Sequence, residues 1–283
     1  AVRRPRRALL EAAHPFETNT KFIMTEETNA SESEIQITPV EASVLLSGAE
    51  WDPKLLATTL AQEWEITVPE KDLPADASES LVFEAEGAVI AVKLFEEPLP
   101  AEMARMHAAM NPLWPQAGAM AQLHRAHLAV AAIPKTASLV ESAQVLVKVV
   151  SSLCNQPSAL AIDTGSTILG TDGYREGATV MKGGELPLFN LVTFAIAKAD
   201  ETNFVAFTMG MSFLGHNELE ISPTAEKPEV IQEFLYTVAS YTLKTGKGLR
   251  DGQILGLHPE KAQAVRYAES SMIPGLKTMQ ITL

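Results

Sequence analysis

The clearest alternation of apolar and polar positions in the chain lies between residues 205 and 221. Apolar side chains occupy every second position from Val205 to Phe213, and small residues fill most of the positions between them. This period of two predicts a β-strand with one apolar face and a second face that another element approaches closely. Leu214-Gly215-His216-Asn217 interrupts the alternation, which resumes at residues 218–221. We therefore predict a central strand, a tight bend and a short continuation.

Four strands, with helices between them, are predicted before residue 136. Asp52 and Pro53 supply an N-cap and a first-turn proline for a helix whose apolar residues recur every fourth position. The remaining elements are strands at 42–48, 81–86, 88–95 and 127–133, and helices that begin near residues 101 and 115. Their order, β-α-β-β-α-β, is that of a ferredoxin-like unit.

A second unit is predicted after residue 135. Ser138 and Glu141 form a capping box in front of an apolar stripe that ends at Leu153. Strands at 159–162, 191–197, 204–213 and 279–283 follow, with a helix from Pro228 whose inward face holds Val230, Phe234, Val238 and Tyr241. We treat the glycine-rich stretches within residues 165–184 as flexible loops. The predicted fold class is α+β: two ferredoxin-like units, residues 39–135 and 136–283, packed as one compact body with mainly antiparallel sheets.

Composition and charge restrict the partners that we expect. The chain has 283 residues, of which 46% are hydrophobic, and a formal net charge of −13, which argues against nucleic acid or anionic membrane as a partner. A partner protein with a basic surface fits this charge better. The single cysteine, Cys154, excludes an internal disulfide framework and suits a reducing compartment, so we predict a cytoplasmic protein.

The N-terminal segment has a different character from the remainder. Residues 1–23 carry a net charge of +3, which leaves −16 on the other residues, and the polar stretch after Met24 is acidic. We interpret Met24 as the natural start, so that residues 1–23 would not be native, and an organelle transit peptide fits only loosely. Residues 1–38 are too polar to pack and are predicted to be disordered.

Two groups of titratable residues are candidates for chemistry. His124 and His127 would share a helix face and could hold a metal, but we favour a structural role where helix and strand meet. Glu218 and Glu220 would project from one strand face, where each would raise the pKa of the other, as in general acid/base sites. The favoured alternative for this pair is a solvent-exposed acidic strand edge. His216 is most simply a turn residue.

Trp114 is the aromatic candidate, because Pro112 and Pro115 bracket it. It either anchors the junction between two helices, which we favour, or presents its ring for binding. No phosphate-loop, dinucleotide-binding or nucleophile-elbow pattern occurs in the sequence. We therefore predict no catalytic residue, no metal and no cofactor.

A known family carries a similar signature. The segment with Thr208, Gly210, Phe213, Gly215 and Glu218-Leu219-Glu220 resembles the T-x-G-L…FG…E-hydrophobic-E signature of the bacterial domain-of-unknown-function family 4261. A second segment is similar to that family's D-G-x-T-hydrophobic-G turn, with Asp251, Gly252 and Gly256 in the matching positions and Ile254 in place of threonine. The resemblance is most specific over residues 190–257 and looser over 40–135, where Trp114 and His127 are similar to upstream features.

The resemblance implies no established activity. It implies bacterial origin, and the gene neighbourhoods of related domains imply an immunity or accessory role in toxin delivery. Our first hypothesis is therefore a non-catalytic module that binds a basic partner protein. One alternative is a small-ligand-binding protein or a metal-dependent enzyme, with its site where the two units meet. The other is a structural subunit of a homo-oligomer, such as a homodimer formed through free sheet edges. The candidate binding residues are Trp114, His124, His127, His216, Glu218 and Glu220.

Overall fold

Seven α-helices and thirteen β-strands occupy residues 39–257 and 262–283, which are the residues described by the computed structural model. The fold is α+β with mainly antiparallel sheets, as the sequence predicts. None of the helices in these residues is long and apolar enough to cross a bilayer. Two predictions concern residues outside the described ranges: the disorder of residues 1–38 and the interpretation that residues 1–23 are not native.

A six-stranded sheet contains the first four predicted strands. Its strands are β1 (Val40–Leu46), β2 (Leu81–Ala85), β3 (Ala88–Phe95), β4 (Ala126–Pro134), β5 (Ala159–Asp163) and β6 (Ile168–Gly170). They lie in the order β2-β3-β4-β1-β5-β6, and every neighbouring pair is antiparallel. β1 is central and its last three residues are fully buried, which explains its continuous apolar run.

Helices cover the two faces of this sheet. On one face lie α1 (Pro53–Trp64), capped by the Asp52 side chain, and α4 (Leu139–Leu153), which begins with the predicted capping box. On the other face lie α2 (Ala101–Ala109) and α3 (Ala117–Leu123), which pack against Leu45. Leu45 points away from its neighbours Val44 and Leu46 because side chains alternate along a strand.

The ferredoxin-like arrangement is not confirmed. The predicted element order of the first unit is present, but its helix-linked strands do not form split β-α-β units. β1 runs antiparallel to β2 with both β4 and β3 between them, and β3 and β4 are direct antiparallel neighbours. The sheet also continues beyond residue 135, our predicted division, because β5 pairs with β1 and β6 extends the sheet further.

A five-stranded sheet occupies the C-terminal half. Its strands are β7 (Thr193–Lys198), β8 (Phe204–Met209), β9 (Leu219–Thr224), β12 (Arg266–Glu269) and β13 (Lys277–Ile281). Their order is β12-β13-β9-β8-β7, which makes β9 an inner strand and β7 an edge strand. The β13–β9 pair is parallel. The short strands β10 (Ile254–Leu255) and β11 (Gln263–Ala264) form a separate ribbon.

Helix α7 (Pro228–Thr245) packs on this sheet, but its inward face is not the predicted one. The stripe that we expected contains Tyr241, which is 54% exposed. The buried positions include Ile231 and Leu235, one residue further along the chain, and continue through Val238 to Leu243. The prediction was wrong because two apolar stripes overlap on this helix, and only packing against the sheet selects between them.

Most of the stretch from residue 165 to 184 is also not a flexible loop. After β6, helix α5 (Thr171–Ala178) and a 3₁₀ turn occupy residues 171–183, and the one-turn helix α6 (Leu188–Leu191) follows. The Tyr174 and Ala178 side chains anchor α5, because both are buried against the core. The glycines of this stretch have a low helix propensity, so the sequence did not predict α5, which tertiary packing stabilises.

Candidate functional site

The carboxylate of Glu218 is an internal acceptor for the turn that follows β8. The Thr208 hydroxyl donates to Oε2 at 2.7 Å, and the backbone N–H groups of Gly210 and Ser212 and the Ser212 hydroxyl donate to Oε1 at 2.9 Å. Thr208 Oγ1 in turn accepts from the Leu219 N–H at 2.8 Å. Burial raises the pKa of Glu218, and these hydrogen bonds oppose the rise.

The Glu220 side chain hydrogen-bonds β9 to the C-terminal strands, whereas that of Glu218 bonds to the β8 side. The Ser270 and Ser271 hydroxyls donate to its carboxylate at 2.6 Å, the Ser271 N–H at 3.0 Å and the Thr278 hydroxyl at 3.0 Å. This carboxylate therefore joins β9 to the β12–β13 turn and to β13 itself. Because the donors lie about fifty residues away, no local pattern around Glu220 could reveal them.

Both interpretations of the Glu218 and Glu220 pair need correction. The two side chains are only 3% and 2% exposed, so they do not form a solvated strand edge, and β9 is an inner strand. The pKa of Glu218 is raised by burial, without a contribution from Glu220. Each carboxylate has its own set of donors, an arrangement that fixes backbone segments and leaves little capacity for proton transfer.

The other signature residues also shape the backbone. Gly210 has φ of +121°, and a Cβ there would lie 2.3 Å from the Leu191 carbonyl oxygen, so only glycine fits. Gly215 and Gly252 also have positive φ, and a Cβ on Gly256 would lie 2.8 Å from the backbone of Ala262. Gly210 is also the reason that β8 ends at Met209, four residues before the predicted end at Phe213.

Two signature positions contact neighbouring segments. The Asp251 carboxylate accepts from the Tyr267 N–H at 2.8 Å and thereby ties its turn to β12. The Phe213 ring is 43% exposed and lies beside Gly165, at the end of β5.

His124 has the structural role that we favoured. Its Nδ1–H donates to the Ala121 carbonyl at 2.6 Å, and its Nε2 accepts from the Leu99 N–H at 2.9 Å. Both ring nitrogens are used, so the imidazole is neutral, in agreement with a pKa lowered by burial. His127 lies on β4, where its Nδ1–H donates to the Glu97 carbonyl at 2.9 Å and its ring stacks on Phe95. Burial lowers its pKa as well.

His216 lies in a turn, as expected, and its N–H donates to the Met211 carbonyl at 3.0 Å. It lines a small polar cavity of about 110 Å³ together with Asn217 and Thr242. Burial lowers the pKa of the His216 imidazole.

A buried histidine–aspartate pair was missed by the sequence analysis. His107 on α2 has its Nδ1 2.8 and 2.9 Å from the two carboxylate oxygens of Asp163, which ends β5. Both residues are buried, and Asp163 also accepts from the Gly165 N–H at 2.8 Å. The pair attaches α2 to the sheet across 56 residues of sequence, a separation that leaves no local signal. Among the described residues, no group of three or more His, Cys, Asp or Glu is arranged to hold a metal ion.

Three aromatic rings form a cluster beside the edge strand of the second sheet; Phe189 is exposed, and Phe194 and Tyr236 are partly buried. Phe189 on α6 is 54% exposed, and its ring lies 5.7 Å from Phe194 on β7 and 5.3 Å from Tyr236 on α7. We call these three residues the aromatic surface. No strand of the described chain pairs with the outer edge of β7. Exposed aromatic side chains in contact with one another are characteristic of binding surfaces.

Phe189 connects the aromatic surface to a cleft of about 320 Å³. Trp114 also lines the cleft, with its indole against the backbone of Gly170, where a Cβ would come within 3.1 Å of the ring. Trp114 thus packs at the junction between α2 and α3 and also lines the cleft; that its ring binds a partner stays a prediction. The lining residues are Asn111, Trp114, Leu160, Leu169, Gly170, Thr171, Asp172, Gly173, Gly177, Phe189 and Asn190.

Carboxylates border this region. Asp172 is exposed and lines the cleft, and Glu229 and Glu233 lie on α7 two turns and one turn before Tyr236. None of the ion pairs within residues 39–257 and 262–283 includes any of these three carboxylates. The aromatic surface and the cleft therefore offer apolar rings beside negative charge.

Comparison with known families gives one finding. Residues 207–282 match the family described as Domain of unknown function (DUF4261). The match contains the signature from Thr208 to Gly256, begins later than our expected residue 190 and extends beyond 257; Trp114 and residues 40–135 lie outside it. Comparisons with curated proteins and with solved structures give no match. The resemblance to the family described as Domain of unknown function (DUF4261) is thus confirmed over residues 207–282, which are less than half of the chain.

Proposed function

We propose that this protein is a non-catalytic module that binds a partner protein with a basic surface through the aromatic surface and the adjacent cleft. The observation that carries the proposal is the contact of three aromatic rings at an exposed sheet edge, with Phe189 54% exposed. Aromatic side chains that lose water on binding supply a large part of interface energy.

Charge supports a basic partner. The chain carries a formal net charge of −13, and Asp172, Glu229 and Glu233 lie near the aromatic rings. Opposite charge on the partner would accelerate encounter and would make binding sensitive to salt. An immunity or accessory role in toxin delivery, which the family resemblance suggests, is one form that such binding would take.

The enzyme alternative receives less support from the candidate residues. His124, Glu218 and Glu220 use their polar side-chain atoms in hydrogen bonds inside the protein. Substrate contact at these atoms would require breaking those bonds, at a cost of roughly 1–3 kcal/mol for each buried group left unpaired.

The test is capture of the partner by the tagged full chain, at low salt, from cells in which the protein is native. We expect one basic protein in stoichiometric amount that dissociates as the salt concentration rises. Phe189→Ser should abolish capture, whereas Tyr241→Ser should not, because Tyr241 is equally exposed but is not part of the ring cluster. Equal capture by both variants would refute the proposal, as would a dimer of this chain as the only complex in light scattering.

A further inference from the structure

We propose that the cleft lined by Trp114 and Phe189 is an anchor pocket for one arginine side chain of the partner, an inference that rests on the proposed function. The cleft holds about 320 Å³, near the lower end of the range for ligand pockets. It is therefore suited to a single extended side chain or a small molecule, and not to a secondary-structure element of the partner.

The walls of the cleft suit a planar cation. The Trp114 indole lies against the Gly170 backbone, and the cleft is also lined by Phe189, which is exposed. A guanidinium group stacks on aromatic rings and gains cation–π attraction, and it is more weakly hydrated than the ammonium group of lysine.

The polar lining of the cleft offers acceptors. Asp172 supplies an exposed carboxylate, and among the described ion pairs none uses it. Asn190 is 5% exposed; its Nδ2 donates to the Tyr174 carbonyl at 2.8 Å, but its Oδ1 has no hydrogen-bond partner among the described residues. That oxygen lies against Gly177 in the cleft wall. A buried acceptor without a donor is unusual in proteins.

Arginine matches this set of groups better than other side chains. Its guanidinium carries five N–H donors and no acceptor, so it can pair with the exposed Asp172 carboxylate through two donors, whereas the Asn190 amide oxygen is buried against Gly177 and takes no part. A lysine would satisfy the charge but has no planar face to stack on the Trp114 or Phe189 ring.

The test is an NMR titration of the full chain with N-acetyl-arginine amide, followed through the indole N–H signals. Trp114→Phe identifies the signal of Trp114 among the three tryptophans. We expect a saturable shift of this signal with Kd on the order of 1 mM, and no saturation with the neutral citrulline analogue. Asp172→Asn should weaken binding about fivefold or more, whereas Glu176→Gln, an exposed carboxylate on the same helix outside the cleft, should change it less than about twofold.

Several results would overturn the pocket. These are equal binding of arginine and citrulline analogues, equal binding of the lysine analogue, and no shift of the Trp114 signal. Failure of the pocket is distinguishable from failure of the proposed function. Partner capture that depends on Phe189 but is unaffected by Asp172→Asn or by added arginine amide would overturn only the pocket. Capture that is independent of both positions would overturn both proposals.

Discussion

Replacement of Glu218 by alanine should strongly destabilise the protein, because this carboxylate is the internal acceptor for the β8–β9 turn. The change leaves the buried Gly210 N–H and Thr208 hydroxyl without their partner, while the groups of exposed Ser212 can bind water. Each unpaired buried donor costs about 1–3 kcal/mol, so the free energy of unfolding should fall by about 2–6 kcal/mol. This is a large part of the 5–15 kcal/mol that is typical of folded domains.

The assay is chemical denaturation followed by tryptophan fluorescence and circular dichroism. The matched control is Glu201→Ala, which removes an exposed carboxylate from the β7–β8 turn and should change stability by less than about 0.5 kcal/mol. Glu218→Gln retains one acceptor oxygen for the backbone donors and should lie between these two variants. A Glu218→Ala protein as stable as the control would refute the internal role of the carboxylate.

The raised pKa of Glu218 predicts how the free energy of unfolding changes with pH. Burial raises this pKa above its ordinary value of 4.5, so the folded protein binds the proton more tightly than the unfolded chain does. The contribution of this shift to stability is therefore fully present below pH 4.5 and is lost as the pH rises through the folded-state pKa. Glu218→Gln has no such group, so the wild type should exceed it in stability by more at pH 4.5 than at pH 8. An opposite trend would contradict the sign of the shift.

Three further changes test the remaining contacts. Gly210→Ala should destabilise by about 2 kcal/mol or more, measured by denaturation, because its Cβ would meet the Leu191 carbonyl oxygen at 2.3 Å; a neutral effect would show that the turn can relax. Glu220→Ala should cost about 2–5 kcal/mol and increase hydrogen exchange in β13, unlike Glu269→Ala on the exposed edge strand. Burial lowers the pKa of His124 below 6.5, so the wild type should lose stability as the pH falls below about 6.5, and His124→Gln should show a smaller loss; equal losses would contradict the assignment.

Local chemistry in the sequence predicts several elements well. Asp52 caps α1, Ser138 and Glu141 form their capping box, and the hairpin turns at Gly87, which has positive φ. These signals act within four residues of one another, so they do not depend on the rest of the fold. The prediction of an α+β fold with antiparallel sheets rests on the same kind of evidence.

Pairings between distant residues could not be predicted in this way. β9 becomes an inner strand only because β13, 58 residues later, pairs beside it, and this pairing buries Glu220. Two glutamates at alternate positions give the same sequence pattern whether the strand is an exposed edge or an inner strand. In the second case, distant residues supply the hydrogen-bond donors to the carboxylates. The β1–β5 pairing, which carries the first sheet past residue 135, is likewise invisible to local patterns.

The candidate site shows the same division. Trp114 was predicted from its flanking prolines, but Phe189, Phe194 and Tyr236 belong to three different elements and meet only in the fold. Asp172 lies in a stretch that we interpreted as a loop, because its glycines conceal helix α5. The family signature includes Glu218, but the contacts of the Glu218 side chain are internal. The exposed Phe189 ring lies outside the signature.

The most direct test of this account is hydrogen exchange of the full chain, measured with and without its captured partner. We predict that binding protects residues 188–198, which include α6 and β7, and residues near Trp114, while residues 216–220 keep the exchange rates of the free protein. Protection confined to residues 216–220, with unchanged exchange in β7 and α6, would contradict the assignment of the aromatic surface as the binding site.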